Sequence, residues 1–382
     1  MKRWNRRGAS AGWMAAAAGT AASAVVLMYA GAAADAVREG LRLCAESVIP
    51  SLFPMLVLSQ YLVRSGGAGE IGTLLEKPVR FWLGLPGVCG AALLTAMIGG
   101  YPAGARAAAT LTESGQISRR EGERLADLAF CSGPGFTVGW VGAQLYQNKS
   151  VGLMILTAQI FSCIIIGTIL RCVSREPQNV SQSTVGCGRP SQAPAADAFV
   201  TSVSDAASTV LTMCAFIVCF QVIGALQRET GLNETASRFF ARLGLGELAP
   251  LLLPCFTEVT VGSLLSVRSG LPFTAFVVGF GGLSVHFQNF AVCRAIRPRK
   301  SVYLVCRLTQ GCLCALLTAA ALRLPWMSRV CAPVSAGIPA DIPAAFSPVS
   351  GSFGVLLLVM CLMSVICLPD GRLAGSEKRR KV

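Results

Sequence analysis

Between Leu85 and Leu111 an apolar run long enough to cross a membrane is interrupted by "MIGGYPAGARAA", Met97 to Ala108. Two adjacent glycines, a Tyr-Pro pair, a third glycine and an arginine occupy its centre. A lipid-spanning helix with such a centre would leave backbone groups unpaired in hydrocarbon, which is tolerated only where protein or a water-filled cavity covers them. The run is therefore expected to break, to turn back and to face a cavity.

Composition makes lipid the relevant solvent. The chain has 382 residues, 53% of them hydrophobic and 14% charged, with a mean hydropathy of +0.59, far too apolar for a soluble protein of this length. Its net charge of +14 falls in short segments between apolar runs and at the two ends, where Lys and Arg act as orientation signals. Nucleic acid is therefore not an expected partner. Sixteen cysteines lie mostly inside apolar runs without a C-x-x-C pair, and there is one histidine. No metal site, disulfide framework or cofactor motif is expected, since buried thiols serve as small hydrophobes. With one histidine and no G-x-S-x-G pattern, no catalytic residues are assigned and the chain is not expected to be an enzyme.

Ten apolar segments approach the roughly 20 residues a bilayer-spanning helix requires. They are Ala15 to Ala36, Leu41 to Val63, Leu85 to Leu111, Leu125 to Tyr146, Val151 to Leu170, Ser202 to Leu226, Leu248 to Val267, Pro272 to Val292, Val302 to Leu322 and Phe353 to Leu368. If all ten cross, Arg119, Arg120 and Arg124 fall outside, against the rule that favours positive charge in the cytoplasm. If the third and seventh are re-entrant hairpins, those arginines move inside, where the "EKRRK" tail also lies, while Arg228, Arg238 and Arg242 move outside. The charge balance prefers the hairpins modestly, and local chemistry prefers them more. "LPCFTEVTVGS" in the seventh segment sets Pro254, Glu258 and Gly262 at mid-membrane depth, where a carboxylate is costly and function is the default explanation.

The two hairpins have similar surroundings. "FWLGLPG" precedes the first and "ARLGLGE" the second, and "TESG" follows one where "VRSG" follows the other. Each is then followed by a glycine-broken helix, "FCSGPGF" and "GFGGLS". The expected fold is an all-α polytopic membrane protein of inverted repeats, each with a re-entrant hairpin and a discontinuous helix, with about eight full spans. Its parts are an N-terminal helix over 1–40, a first repeat over 41–172, a cytoplasmic linker over 173–200 and a second repeat over 201–323. An external loop over 324–352 and a C-terminal helix with a basic tail over 353–382 complete the chain. The N-terminal part has both the outline of a secretory signal peptide and the length of an uncleaved membrane helix.

A hairpin tip exposes the N-terminus of its second half-helix, whose unpaired N–H groups attract negative charge. Gly100 and Gly104 would let backbone approach a ligand, or let helices touch. Tyr101 could lie against an aromatic ring with its hydroxyl free. Arg106 could grip a carboxylate on two atoms or reach for the headgroups. Around the second tip the polar candidates are Thr257, Glu258, Thr260 and Ser263. Glu258 is read either as the partner of an arginine or as a carrier of a coupling proton or cation. Ser132 follows the first glycine break, and His286, Gln288 and Asn289 follow the second as a polar face, although a lone histidine also serves in packing. All four breaks are expected to meet near the midplane. "SRREGERLADL" reads as a helix capped by Ser118 with Glu121 three residues on, leading Asp127 into the membrane.

"IPSLFPMLVLSQYL", "GGYPAGAR", "SRREGERLADLAFCSGPGF" and "FTEVTVGSLL" resemble the sporulation integral membrane proteins of the YlbJ or SpoVV type. These fall within a wider nucleoside-recognition or Gate-domain group that includes, more remotely, the concentrative nucleoside transporters. The resemblance spans about Leu41 to Leu322. It implies a place in the cell membrane, in the outer forespore membrane of a sporulating bacterium, and export of dipicolinate, a small aromatic dianion. It also marks Arg106 as the basic residue that follows Gly-Tyr-Pro-x-Gly. Val261 stands where the family pattern would carry a polar residue. Two alternatives remain: a nucleoside carrier, and a non-transporting scaffold for spore maturation.

Overall fold

The computed structural model describes residues 6–173, 195–293, 296 and 298–331. The C-terminal helix and tail expected over 353–382 lie outside the described residues, as do most of the linker and of the loop at 324–352. Every regular element among the described residues is helical. Five stretches are long and apolar enough to cross a membrane, or six if a bent N-terminal pair counts as one. The protein is a multi-pass helical membrane protein.

The first half begins with α1 (Arg6–Met28) and α2 (Ala30–Leu43). They meet at a bend of 90°, so the one span expected from Ala15 to Ala36 is instead two helices. Through a π-helical turn, Cys44–Val48, α2 continues into α3 (Ile49–Arg64), and the boundary drawn at residue 40 falls inside α2. A short helix α4 (Gly67–Pro78) follows, closed by a second π-helical turn that ends on left-handed Gly84. Next come α5 (Cys89–Gly99), α6 (Tyr101–Glu113) and α7 (Arg119–Leu128). After a break come a π-helical stretch, Gly135–Leu145, and the long α8 (Lys149–Val173).

The second half comprises α9 (Ala195–Glu229), α10 (Leu232–Phe240), α11 (Ala249–Thr257) and α12 (Val259–Ser266). It closes with α13 (Leu271–Phe280), α14 (Gly282–Val292), α15 (Lys300–Leu322) and the short α16 (Pro325–Val330). Two of the five long stretches, Leu232–Thr257 and Leu271–Val292, are not straight rods. Positive φ at Gly244 and Gly246 breaks the first, and Gly281 breaks the second.

Neither α5 nor α6 reaches across a bilayer, since 11 and 13 residues at about 1.5 Å each fall well short of about 30 Å. They fold back on each other. A Cβ added at Gly104 would collide with the Ala96 methyl eight residues earlier, whereas a continuous helix would hold those residues about 12 Å apart. The turn is Gly100, at φ 84° and ψ −173°, a conformation open to glycine alone. α11 and α12 fold back in the same way around Glu258, which is extended at φ −144° and ψ 129°. A Cβ on Gly262 would lie 2.8 Å from the Cα of Cys255, and the Cys255 thiol faces the Gly262 carbonyl at 3.5 Å.

The expected cap on α7 is present. Ser118 Oγ accepts from the Glu121 N–H, and Glu121 Oε2 accepts from the Ser118 N–H at 2.8 Å. This pairing satisfies two of the donors a helix start leaves open. The main core packs Leu83, Leu85, Leu111, Leu125 and Leu128 with the alanines of α5 and α6. α9 lies against α2 and α3, joined to α3 by an ion pair between Arg64 and Asp205.

Candidate functional site

Each hairpin tip presses against the break in the helix that follows it. At the first, Gly133 faces Gly100 so closely that a Cβ on Gly133 would lie 3.0 Å from the Gly100 nitrogen. At the second, a Cβ on Gly282 would lie 3.0 Å from the nitrogen of Val259. The two crossings touch, because the Tyr101 hydroxyl donates to the Val278 carbonyl at 2.5 Å and the Phe130 ring fills the space beside Gly281. All four breaks therefore come together. The Tyr101 hydroxyl is not free, however, and its ring lies against Phe130 at 4.5 Å between centroids.

Behind Tyr101 lies a group that sequence reasoning missed. Arg307, about two turns into α15, is 0% exposed. Its Nη1 donates to Gln310 Oε1 at 2.5 Å, its Nη2 donates to the Asp127 carbonyl, and its guanidinium lies 4.1 Å from the Phe130 ring centroid. Gln310 donates to the Phe130 carbonyl at 2.8 Å. The Asp127 carbonyl is one that α7 leaves open where it stops, the Phe130 carbonyl lies in the break just beyond, and the negative end of a helix dipole suits a cation. Arginine and glutamine from the second half thus cap a broken helix of the first. The Asp127 carboxylate is buried there with Oδ1 unpartnered, as is Arg307 Nε.

His286, Gln288 and Asn289 are buried on α14. Asn289 donates to the Tyr303 hydroxyl at 2.8 Å, and His286 Nδ1 lies 3.4 Å from the same oxygen. The His286 ring stands edge-on to Phe280 at 4.7 Å. Gln288 donates to Ser284 at 3.2 Å. In the first half Ser132 is held by Gln159, whose Oε1 accepts from the Ser132 N–H at 2.9 Å and its hydroxyl at 3.0 Å. These polar groups bond mainly to each other, while His286 Nε2 and Asn289 Oδ1 remain unpartnered.

At the second tip Glu258 is only 3% exposed. One carboxylate oxygen accepts from the Val261 N–H at 2.8 Å, as an N-cap of α12. Among the described residues it has no ion pair. Thr257 meets Gln227 of α9 at 3.3 Å, and Ser263 is buried with its hydroxyl unpartnered. A cavity of about 560 Å³ opens onto Thr257, Glu258 and Val261 from between α9, α10 and α11. A second cavity of about 300 Å³, walled by Glu46, Phe136, Trp140 and Gln144, reaches Thr260. The tip stands between the two.

The expected residues thus fall into separate neighbourhoods. Gly100, Tyr101, Ser132, His286, Gln288 and Asn289 share the interior crossing, and Thr257, Glu258, Thr260 and Ser263 belong to the second hairpin. Gly104 offers no open face, since Ala96 and Ala129 occupy it. Arg106 is half-buried and lies apart: the preceding carbonyl, Ala105, meets the Cys293 thiol at 3.6 Å beyond the far end of α14. Glu258 packs at the near end, so the two charges are separated by roughly the length of an 11-residue helix, on the order of 15 Å.

No family model and no solved structure matches this chain. It is similar to the sporulation integral membrane protein YlbJ of Bacillus subtilis (strain 168), with 31% identity over 316 residues that cover 76% of this chain and 77% of that protein. A shared sequence of that extent, on a helical multi-pass chain whose hairpin tips and breaks carry the motifs quoted above, makes the chain a member of the YlbJ family of sporulation integral membrane proteins.

Proposed function

We propose that this chain is a secondary transporter of a small anionic aromatic metabolite. The substrate is dipicolinate, exported during endospore formation across the outer forespore membrane by alternating access between two inverted repeats. The observation that carries the reading is the second hairpin tip, where a buried carboxylate with no ion pair among the described residues stands between cavities of about 560 and 300 Å³. A scaffold has no need of a buried charge beside open space, whereas a carrier needs a tip that can close one side and open the other.

The order of elements supports the repeat. In each half a long helix leads to a short one ending in a π-helical turn with a left-handed glycine, then a hairpin, a broken helix and a long helix. On this reading the hairpins are re-entrant from opposite faces, and α6, α12 and α14 aim their N-termini at the crossing, where their dipoles favour a carboxylate.

Uptake into proteoliposomes of dipicolinate, with uridine as competitor, tests the proposal. Saturable dipicolinate flux is expected for the native chain, with at least tenfold loss in Glu258→Gln. Preference for uridine would move the assignment to a nucleoside carrier. The absence of any saturable flux would leave the scaffold.

A further inference from the structure

The 560 Å³ cavity has an unusual distribution of charge. Arg228 at the end of α9 and Arg238 on α10 stand at its rim, and Glu258 forms part of its floor beside Thr257. The Arg228 side chain folds back along α9, with Nη1 3.9 Å from where a Cβ on Gly224 would sit, over the chamber. Arg238 donates to Thr235 at 3.4 Å. Neither arginine has an ion pair among the described residues, and Glu234 is the one acid on the same rim. Between rim and floor Phe220, Leu251, Pro254 and Leu265 give the walls apolar surface, with the neutral polar Gln221, Gln227, Asn233 and Ser237 among them.

We infer that this chamber binds a small planar carboxylate anion, held at its rim by Arg228 and Arg238, and that Glu258 takes up a proton when the anion enters. The inference rests on the transport reading and adds to it the residues that hold the solute and the ion that accompanies it. Two exposed guanidiniums supply forked donors for a carboxylate, and the apolar walls suit an aromatic ring. The same anion brings negative charge towards a carboxylate that is shielded from water, where like charges repel strongly. A proton on Glu258 removes that repulsion. By linkage, anion binding must then favour the protonated form as much as protonation favours binding.

Other titratable groups face Glu258, and each has a stated part in the test. They are Arg228 on α9, Glu234 and Arg238 on α10, Cys255 on α11, His286 on α14 and Cys44 between α2 and α3. Arginine stays charged between about pH 6 and 8, and a neutral thiol has no basic site for a further proton. Glu234 is exposed at the rim. His286 is the competing acceptor, being buried one turn into the helix whose start packs on Glu258.

The experiment measures dipicolinate binding calorimetrically to the full chain in phosphatidylcholine nanodiscs between about pH 6 and 8, a range in which the free acid stays a dianion and an ordinary carboxylate stays charged. Proton uptake is read from runs in buffers of different ionisation enthalpy. The native chain is expected to take up close to one proton per anion bound, with affinity weakening by up to about tenfold per pH unit. Glu258→Gln should bind without proton uptake and without the slope, and His286→Gln should keep both. Arg228→Gln with Arg238→Gln should weaken binding at least tenfold while leaving the uptake intact. The inference is overturned by binding without proton uptake, by uptake that survives Glu258→Gln, or by an unaffected double arginine variant. It also falls if binding disappears when phosphatidylglycerol is added at constant ionic strength, which would give the rim to lipid headgroups. If dipicolinate is carried in proteoliposomes and yet any of these holds, the transport reading stands and this assignment alone fails.

Discussion

The two hairpins use the same backbone device in opposite packing environments. In the first, nine of the 13 residues of α6 and seven of the 11 of α5 are buried, and alanine and glycine let the two limbs and α7 close up, with a cavity of about 50 Å³ beside Leu93, Ala96, Met97 and Leu128. In the second, α12 buries Val259, Gly262, Ser263 and Ser266, while Thr257, Glu258, Thr260 and Val261 border cavities on either side. The difference also extends to the breaks. The one beneath the first tip is gripped by the charged Arg307 and by Gln310, whereas that beneath the second receives the neutral Tyr101 hydroxyl and the Phe130 ring. A limb with so little space beside it cannot swing without breaking contacts, so the first hairpin is suited to be a fixed abutment and the second, beside cavities of about 560 and 300 Å³, to be the part that moves.

The largest expected effect tests the abutment. Gly104→Ala sets a methyl against both Ala96 and the Ala129 carbonyl, and overpacking of this kind is expected to cost about 3 kcal/mol. SDS-titration unfolding would show it, and a native-like midpoint would remove the contrast between the hairpins. The next is the grip on the first break. Arg307→Met leaves the Asp127 carbonyl and Gln310 without their charged donor, for an expected loss of about 2 kcal/mol by the same measurement. Arg307→Lys should restore only part of it, because an ammonium cannot reproduce two donors held in one plane. The smallest effect belongs to the second tip. Val261→Ala trims a side chain that already borders open space, so about 0.5 kcal/mol is expected. A loss as large as that of Gly104→Ala would show both hairpins to be equally locked.

Where the chain turns is legible in the sequence, although the contrast between the two hairpins is not. Gly100 and Pro102 in an apolar run, Glu258 flanked by Pro254 and Gly262, and the glycine breaks each violate what lipid allows a straight helix, so each marks a place where the chain must turn. The Ser118 cap was equally plain, because both partners lie within one turn. Tyr101 and Arg307 behaved differently. Their partners, Val278 and Asp127, stand 177 and 180 residues away, and no spacing rule connects positions so distant. A single arginine inside an apolar run looks the same whether it reaches for headgroups, as was allowed for Arg106, or lies buried across a helix end, as Arg307 does. The bend at Tyr29 likewise left no mark in an apolar stretch that was long enough to span.

The sequence by itself determined that the chain lives in a membrane, where it must break, and that it carries a carboxylate too costly to be incidental, since each follows from local hydropathy and the backbone's demand for partners. Tertiary structure alone decided that Gly104 is filled rather than open, that Arg106 and Glu258 lie at opposite ends of α14, and that cavities of about 560 and 300 Å³ border the second tip. Those outcomes depend on which helices pack together across the two halves. Side-chain volume and hydrogen-bond partners from distant parts of the chain set that packing, and neither is recorded in the residues next door.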